Sequence, residues 1–399
     1  MKKLSAVLLA MLMMLALAMP GLAVDSKLTF SEDGKFRVLQ INDFQDSDNT
    51  NAKNLEFMNT VLDTYKPDLV VFAGDQVNGS SVGFEPEVIT TAIRNMLAPL
   101  EARNIPFLFT FGNHDRDHVN KMSMESQAEV YRSFANCMSE NNGPDAGTSN
   151  TVIYAADGKT PVLNIYMMDT NHWLGTGVTA GSTSGVTETQ VEWYKQTSNE
   201  LKALNGGEPL PSLVFQHIPV KEIYQFLKEV PQGTAGAVRC SFDNAYYILD
   251  ENAEFVGDRT VMKEAPCSEH PDKVTGQYQA WVEQGDIIGA YFGHDHINTF
   301  VGKTADGIVM GYNGGFGYST YGEGDVRYAR IYDFDINNVT DYKQTTIVYT
   351  PAPKEPAEPE IPEIPEEPEE DQGETNVSFL DKIKQFFQKI FDFFKNLFS

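Results

Sequence analysis

The stretch Phe107-Leu-Phe-Thr-Phe-Gly-Asn-His-Asp115 is a short apolar run of buried-strand composition that stops on side chains able to hold a metal ion. Four other runs end the same way. Phe36 to Ile41 leads into Asn42-Asp43-Phe44-Gln45, and Asp68 to Ala73 into Gly74-Asp75. Leu213-Val-Phe215 leads into Gln216-His217, and Ile287 to Phe292 into Gly293-His294-Asp295-His296. In an open α/β sheet the loops at the carboxyl ends of the strands form the ligand crevice, so endings up to about 250 residues apart converge there. The chain reads as a scaffold for one polynuclear metal centre.

Working outward, residues 25–350 show no internal repeat or low-complexity segment and read as one domain. Helical patterns over Asn54 to Tyr65, Glu87 to Ala102, Ser126 to Met138 and Thr187 to Leu204 alternate with the β-rich runs. That predicts an α/β domain with mostly parallel central strands. Val162 to Met168 is a further strand ending on Asp169. Gly307 to Tyr312 and Arg327 to Asp333 are later strands, joined through the glycine-rich Asn313 to Gly322.

Both ends fall outside that domain. Lys2 and Lys3 precede an apolar run from Ala6 to Met19, then Pro20 and Gly21-Leu22-Ala23, which predicts a secretory signal over residues 1–23 rather than an uncleaved anchor. The protein is therefore expected outside the cell or at its surface. Residues 351–375 form an acidic linker: ten acidic residues between Pro351 and Glu374 stand against Lys354 alone, interleaved with prolines, as in an extended spacer. Over 376–399, Leu380, Ile383, Phe386, Phe387, Ile390, Phe391, Phe393, Phe394, Leu397 and Phe398 fill an arc of about 160° on an amphipathic helix. Four lysines lie on the other arc. Such a helix suits a membrane surface, a second copy of itself, or its own catalytic domain.

The formal charge of −26 excludes a basic face for a nucleic-acid polymer. Three cysteines, Cys137, Cys240 and Cys267, are too few for a disulfide framework and lack zinc-site spacing, although Cys240 and Cys267 could pair.

Two divalent ions about 3.5–4 Å apart need one bridging carboxylate and several N and O donors. Asp43, Gln45, Asp75, Asn113, His217, His294 and His296 supply that set, and only two of them are charged. Two dications would leave a locally positive pocket that attracts an anionic ester despite the acidic protein. Manganese, iron and zinc all suit these donors.

The order and spacing of Asp43, Gly74-Asp75, Gly112-Asn113-His114-Asp115, His217 and Gly293-His294-Asp295-His296 resemble the calcineurin-like metallophosphoesterase family. Phe215-Gln-His-Ile-Pro219 and Gly314-Gly-Phe-Gly-Tyr318 look like its purple-acid-phosphatase-related branch. The resemblance implies a two-layer mixed β-sandwich flanked by helices. It also implies one ion on Asp43, residue 45 and His296, a second on Asn113, His217 and His294, and Asp75 between them. His114 would then protonate the leaving oxygen, with Asp115 as its orienter, while a metal-bridging hydroxide attacks phosphorus in line. Two departures stand out. Gln45 replaces the family's first-motif histidine, and Asn78 stands where the purple enzymes place a tyrosine, so no ferric–tyrosinate centre is expected.

The expectation is a secreted metallophosphoesterase for small phosphate mono- or diesters. The competing expectation is a catalytically weak surface-binding protein whose Gln45 has degraded the metal site and whose terminal helix carries the function. His118 is expected on a solvated helix face or facing substrate, and Asp169 as a turn former or pocket residue. Tyr312, Phe316 and Tyr318 are expected either to wall the pocket or to pack beneath the glycine-rich loop.

Overall fold

The computed structural model describes residues 27–351, except 81, 171–184, 241–242 and 270–273, together with 388. The expected signal and amphipathic helix therefore lie outside the described residues apart from position 388, as does the linker apart from Pro351. By contact the chain divides into Met1–Pro351 and Ala352–Ser399. Among the described residues no helix is long and apolar enough to cross a membrane.

In chain order the elements are β1 (Leu28–Thr29), β2 (Lys35–Ile41), α1 (Ala52–Tyr65), β3 (Leu69–Ala73), α2 (Pro86–Glu101), β4 (Phe107–Thr110), α3 (Met124–Arg132), β5 (Ser149–Tyr154), β6 (Pro161–Met168) and α4 (Glu188–Leu204). There follow β7 (Ser212–Gln216), β8 (Leu227–Val230), β9 (Val238–Arg239), β10 (Tyr246–Leu249), β11 (Glu254–Phe255), α5 (Gln277–Gln284), β12 (Ile287–Phe292), β13 (Val301–Lys303), β14 (Val309–Tyr312), β15 (Arg327–Asp335) and β16 (Lys343–Tyr349).

Two sheets carry the fold. One has the order β16-β15-β2-β3-β4, the other β1-β5-β6-β7-β12-β14-β13-β11. Within each, the strands that lead into the expected ligands, β2-β3-β4 and β7-β12, run parallel, while β15 and β16 are antiparallel. The expected mixed sandwich is thus present.

The alternation within each apolar run explains its layers. In β3, Leu69, Val71 and Ala73 face the other sheet beside Leu108, Ile165, Leu213 and Phe215. Val70 and Phe72 face outward, onto Phe57 of α1 and Ile89, Ile93 and Met96 of α2. The outer face of the second sheet is covered by Val191, Tyr194 and Leu201 of α4 and Trp281 of α5. Strands buried on both faces read as unbroken hydrophobic runs, and each buried large side chain contributes roughly 1.5–3 kcal/mol.

Two details differ from expectation. The helix predicted over Ser126 to Met138 ends at Arg132, because the chain turns out to pair with the edge of β4: Phe107 N–H donates to Asn136 C=O and Met138 N–H to Phe107 C=O. A three-stranded sheet, β8-β10-β9, also lies between β7 and β12 in sequence.

Candidate metal centre

The loops leaving β2, β3 and β4 carry Asp43, Gln45, Asp75 and Asn113; those leaving β7 and β12 carry His217, His294 and His296. The set is drawn from both sheets. Seven described non-glycine residues have positive φ, and four of them are Asp43 (54°), Gln45 (40°), Asp75 (56°) and His294 (74°). Strain concentrated in this way marks a site whose side chains must be aimed against the backbone's preference. Gly74 is required too: its φ is 93°, and a Cβ there would lie 2.6 Å from Nδ1 of His217.

Asp75 sits at the centre. Its Oδ1 accepts the His114 N–H at 2.7 Å, and its Oδ2 lies 3.2 Å from Nε2 of His217. Asp43 Oδ1 is 3.2 Å from Nε2 of His296 and 3.9 Å from Nε2 of His217. His294 Nδ1 is 3.2 Å from Nε2 of His217. Ligand atoms of Asp75, His217 and His294 all lie within 4.8 Å of one another.

Second partners fix which nitrogen of two imidazoles faces the cluster. His217 Nδ1 donates to Ala73 C=O at 3.0 Å, and His296 Nδ1 to Tyr321 C=O at 2.8 Å, so both present Nε2 inward. Burial alone would raise the Asp43 and Asp75 pKa values. The imidazoles of His296 and His217 outweigh it for Asp43, as those of His217, His114 and His294 do for Asp75, and hold both below the ordinary carboxylate range. Conversely, Asp75 and Asp43 push His217 up to about 10 against the cost of burial.

The donor set fits divalent ions. Asn113 Oδ1 is buried without a hydrogen-bond partner, and Asp43 Oδ1 is buried with no well-formed hydrogen bond, only Nε2 of His296 at 3.2 Å, an arrangement that costs stability unless a cation is to be held. Together with three imidazole nitrogens and Asp75 they make a mixed N,O set suited to first-row metals. Gln45 is brought to the same place, but its amide nitrogen donates to Asp75 Oδ2 at 3.0 Å. As placed it hydrogen-bonds to the expected bridging carboxylate, and its oxygen reaches that position only if the amide turns over.

The role expected for Asp115 is corrected. Its two oxygens accept four backbone N–H groups, from Asp75 (2.8 Å), Gln76 (3.0 Å), Val77 (2.9 Å) and Gly112 (2.8 Å). It staples the Gly112–Asp115 turn onto the Gly74–Val77 turn and has no lone pair left for an imidazole. The partner of His114 is Asp117, whose Oδ2 lies 2.8 Å from Nδ1. Asp117 pushes His114 up to about 9, against the opposing effect of burial. A Cβ on Gly79 would collide with both side chains of this pair.

His118 is neither solvated nor facing substrate. It is fully buried, accepts the Phe84 N–H on Nδ1 at 2.9 Å, donates from Nε2 to Asn78 C=O at 2.9 Å, and stacks on Phe84. Asp169 is buried beside Arg116 at 3.0 Å. Tyr312 and Phe316 are core residues, Phe316 stacking on Phe57 at 4.1 Å, whereas Tyr318 is partly exposed under Arg327. The glycine-rich loop braces the first motif: Phe316 N–H donates to Asn42 C=O and Gly317 N–H to Asp43 C=O. No disulfide joins Cys240 to Cys267. His172 and His270 lie outside the described residues.

Sequence reasoning missed Asp117, Tyr321 and Asn42, whose amide donates to Asp43 Oδ2 at 2.6 Å. For Asp117 a signal existed, since residues three apart eclipse in a 3₁₀ turn such as Asp115–His118.

A family model described as calcineurin-like phosphoesterase matches residues 36–298. An Arabidopsis thaliana protein named probable inactive purple acid phosphatase 29 is 29% identical over 352 residues, 80% of this chain and 81% of its own. The Saccharomyces cerevisiae phosphatase DCR2 is 24% identical, over 80% of this chain and 55% of its own. A solved dimetal phosphatase from Danio rerio aligns over 79% of this chain and 98% of its own, at 12% identity and a TM-score of 0.45. With the match running from β2 through the His294–His296 turn, the chain belongs to the calcineurin-like phosphoesterase family.

Proposed function

We propose that this chain hydrolyses phosphate mono- or diesters at a dinuclear centre. Asp43, Gln45 and His296 would hold one ion, Asn113, His217 and His294 the other, and Asp75 would lie between them. The observation that supports this most is the pair of buried oxygens without a well-formed hydrogen bond, on Asp43 and Asn113, among imidazoles whose inward nitrogens are already selected. When bound, the ions supply a nucleophile from water at neutral pH and neutralise the phosphoryl oxygens. His114 does the remaining chemistry. Asp117 occupies its Nδ1 and keeps the ring protonated, so Nε2 delivers the proton to the leaving oxygen. Manganese, iron and zinc remain the candidate metals.

The test is a panel of p-nitrophenyl phosphate and its bis-ester, run with each metal alongside metal analysis. About two ions per chain with turnover supports the reading; no turnover with any of the three metals refutes it. The second reading, a catalytically weak surface-binding protein, is favoured by the Gln45 amide on Asp75 and by relatives named probable inactive. Secretion through residues 1–23 and association through 376–399, with a membrane surface or a second copy, belong to the same proposal. Deletion of 376–399 should abolish co-sedimentation with anionic liposomes.

A further inference from the structure

Tyr321 touches His296 in three separate ways. Its carbonyl accepts from Nδ1 at 2.8 Å, its ring stacks on the imidazole at 3.9 Å and 8°, and its hydroxyl oxygen accepts the His296 N–H at 3.4 Å. That hydroxyl donates in turn to Glu264 Oε2 at 3.1 Å, while Glu264 Oε1 accepts the Ile297 N–H at 3.0 Å. Asn298 closes the ring from the other side. Its Oδ1 accepts the N–H groups of Lys263 (2.9 Å) and Glu264 (3.3 Å), and its amide donates to Glu264 C=O at 3.0 Å. Residues 296–298, 263–264 and 321 therefore form one closed hydrogen-bonded ring around a single imidazole.

Core packing does not account for Tyr321, which is 52% exposed and spends its buried half on His296. Gly315 across the ring leaves the space, since a Cβ there would lie 3.0 Å from His296 Cβ. The need for such a clamp follows from the first motif. An amide at position 45 binds a cation more weakly than an imidazole, and as placed it is occupied with Asp75. The ion on the Asp43 side then depends on His296 being held in one orientation, and ligands are held best by partners that are themselves locked.

We infer that Tyr321 and Glu264 are positioning residues for the ion held by Asp43 and His296, compensating for glutamine at position 45. This rests on the dinuclear reading above and extends it. The clamp touches neither Asn113 nor His217 and meets His294 only at its backbone carbonyl, 3.5 Å from the Tyr321 hydroxyl, so its loss should weaken one ion far more than the other.

The test is calorimetric titration of the chelator-treated full-length protein with Mn²⁺, comparing the unaltered protein with Tyr321→Ala, Tyr321→Phe, Glu264→Ala and Glu264→Gln. The unaltered protein should show two binding events. Tyr321→Ala and Glu264→Ala should weaken one event by about 10–100-fold and leave the other unchanged. Tyr321→Phe, which alone of the two Tyr321 variants keeps the stacked ring, should lose less. Glu264→Gln should stay near the unaltered protein, because its amide still accepts from Ile297 and donates to the Tyr321 oxygen. Should Tyr321→Ala not fold, Glu264→Ala decides on the same criterion. Two undiminished events in Tyr321→Ala and Glu264→Ala, or equal weakening of both events, would overturn the inference alone. Absence of binding to the unaltered protein would overturn the dinuclear reading with it.

Discussion

Asp117, not its neighbour Asp115, holds the imidazole of His114, with Oδ2 2.8 Å from Nδ1 across the space that Gly79 leaves open. His114→Ala should lower turnover on esters with poor leaving groups by about 10²–10⁴-fold. Esters of p-nitrophenol, which leave without a proton, should suffer much less. An equal loss on both would remove His114 from the acid's role.

The pair also sets a pH limit. In the proposed reaction His114 works protonated, so activity should fall as pH rises through its pKa, pushed up to about 9 by Asp117. Asp117→Asn removes that partner and should move the alkaline limb of the pH–rate profile toward neutrality, with little change in melting temperature. A limb that does not move would mean that Asp117 does not govern this proton.

Asp115→Asn should do the reverse. An amide oxygen cannot accept all four N–H groups now on that carboxylate, and leaving two of them unsatisfied costs about 2–6 kcal/mol. Urea unfolding should show that loss. A variant as stable as the parent would end the account of Asp115 as a staple between turns.

Gln45→His should tighten one metal-binding event in chelator competition, because an imidazole replaces an amide that now bonds to Asp75. An unchanged affinity would mean that the side chain at 45 never reaches the ion.

His118 makes a separate prediction about stability. Burial lowers its pKa below the ordinary value of 6.5, and Nδ1 must stay unprotonated to accept from Phe84. The unfolded chain thus takes up this proton first. The stability His118 provides is complete above about pH 6.5 and is lost as pH falls below it. Urea unfolding at successive pH values should show this slope, and His118→Asn, whose amide oxygen replaces the Nδ1 acceptor, should flatten it.

The strand endings were readable because a run buried on both faces stops where its polar ligands begin, as at Phe109-Thr-Phe-Gly-Asn113. The partners of those ligands were not. Asp115 and Asp117 look equivalent in the sequence, and only the 3₁₀ turn sends one into the N–H groups of a neighbouring loop and the other onto the ring. His118 looked exposed because its helical phase was assumed, whereas the turn buries it against Phe84. Tyr321 was hidden by distance: nothing local to residues 318–322 announces a partner at position 264. The strands β8, β9 and β10 are at most four residues long and, Leu227 apart, half buried or exposed, so they carried little pattern to read.

The candidate ligands come from both layers: Asp43, Asp75 and Asn113 from one sheet, His217, His294 and His296 from the other. Cations bound there would act as rivets through the sandwich, fastening two sheets that already meet through apolar side chains and polar links such as that from His217 Nδ1 to Ala73 C=O. At a free metal concentration 100 times the dissociation constant, one such rivet adds about 2.7 kcal/mol to the folded state. Stripping the metal should therefore lower the melting temperature and let the layers part more readily, loosening first at the rim where the strands end.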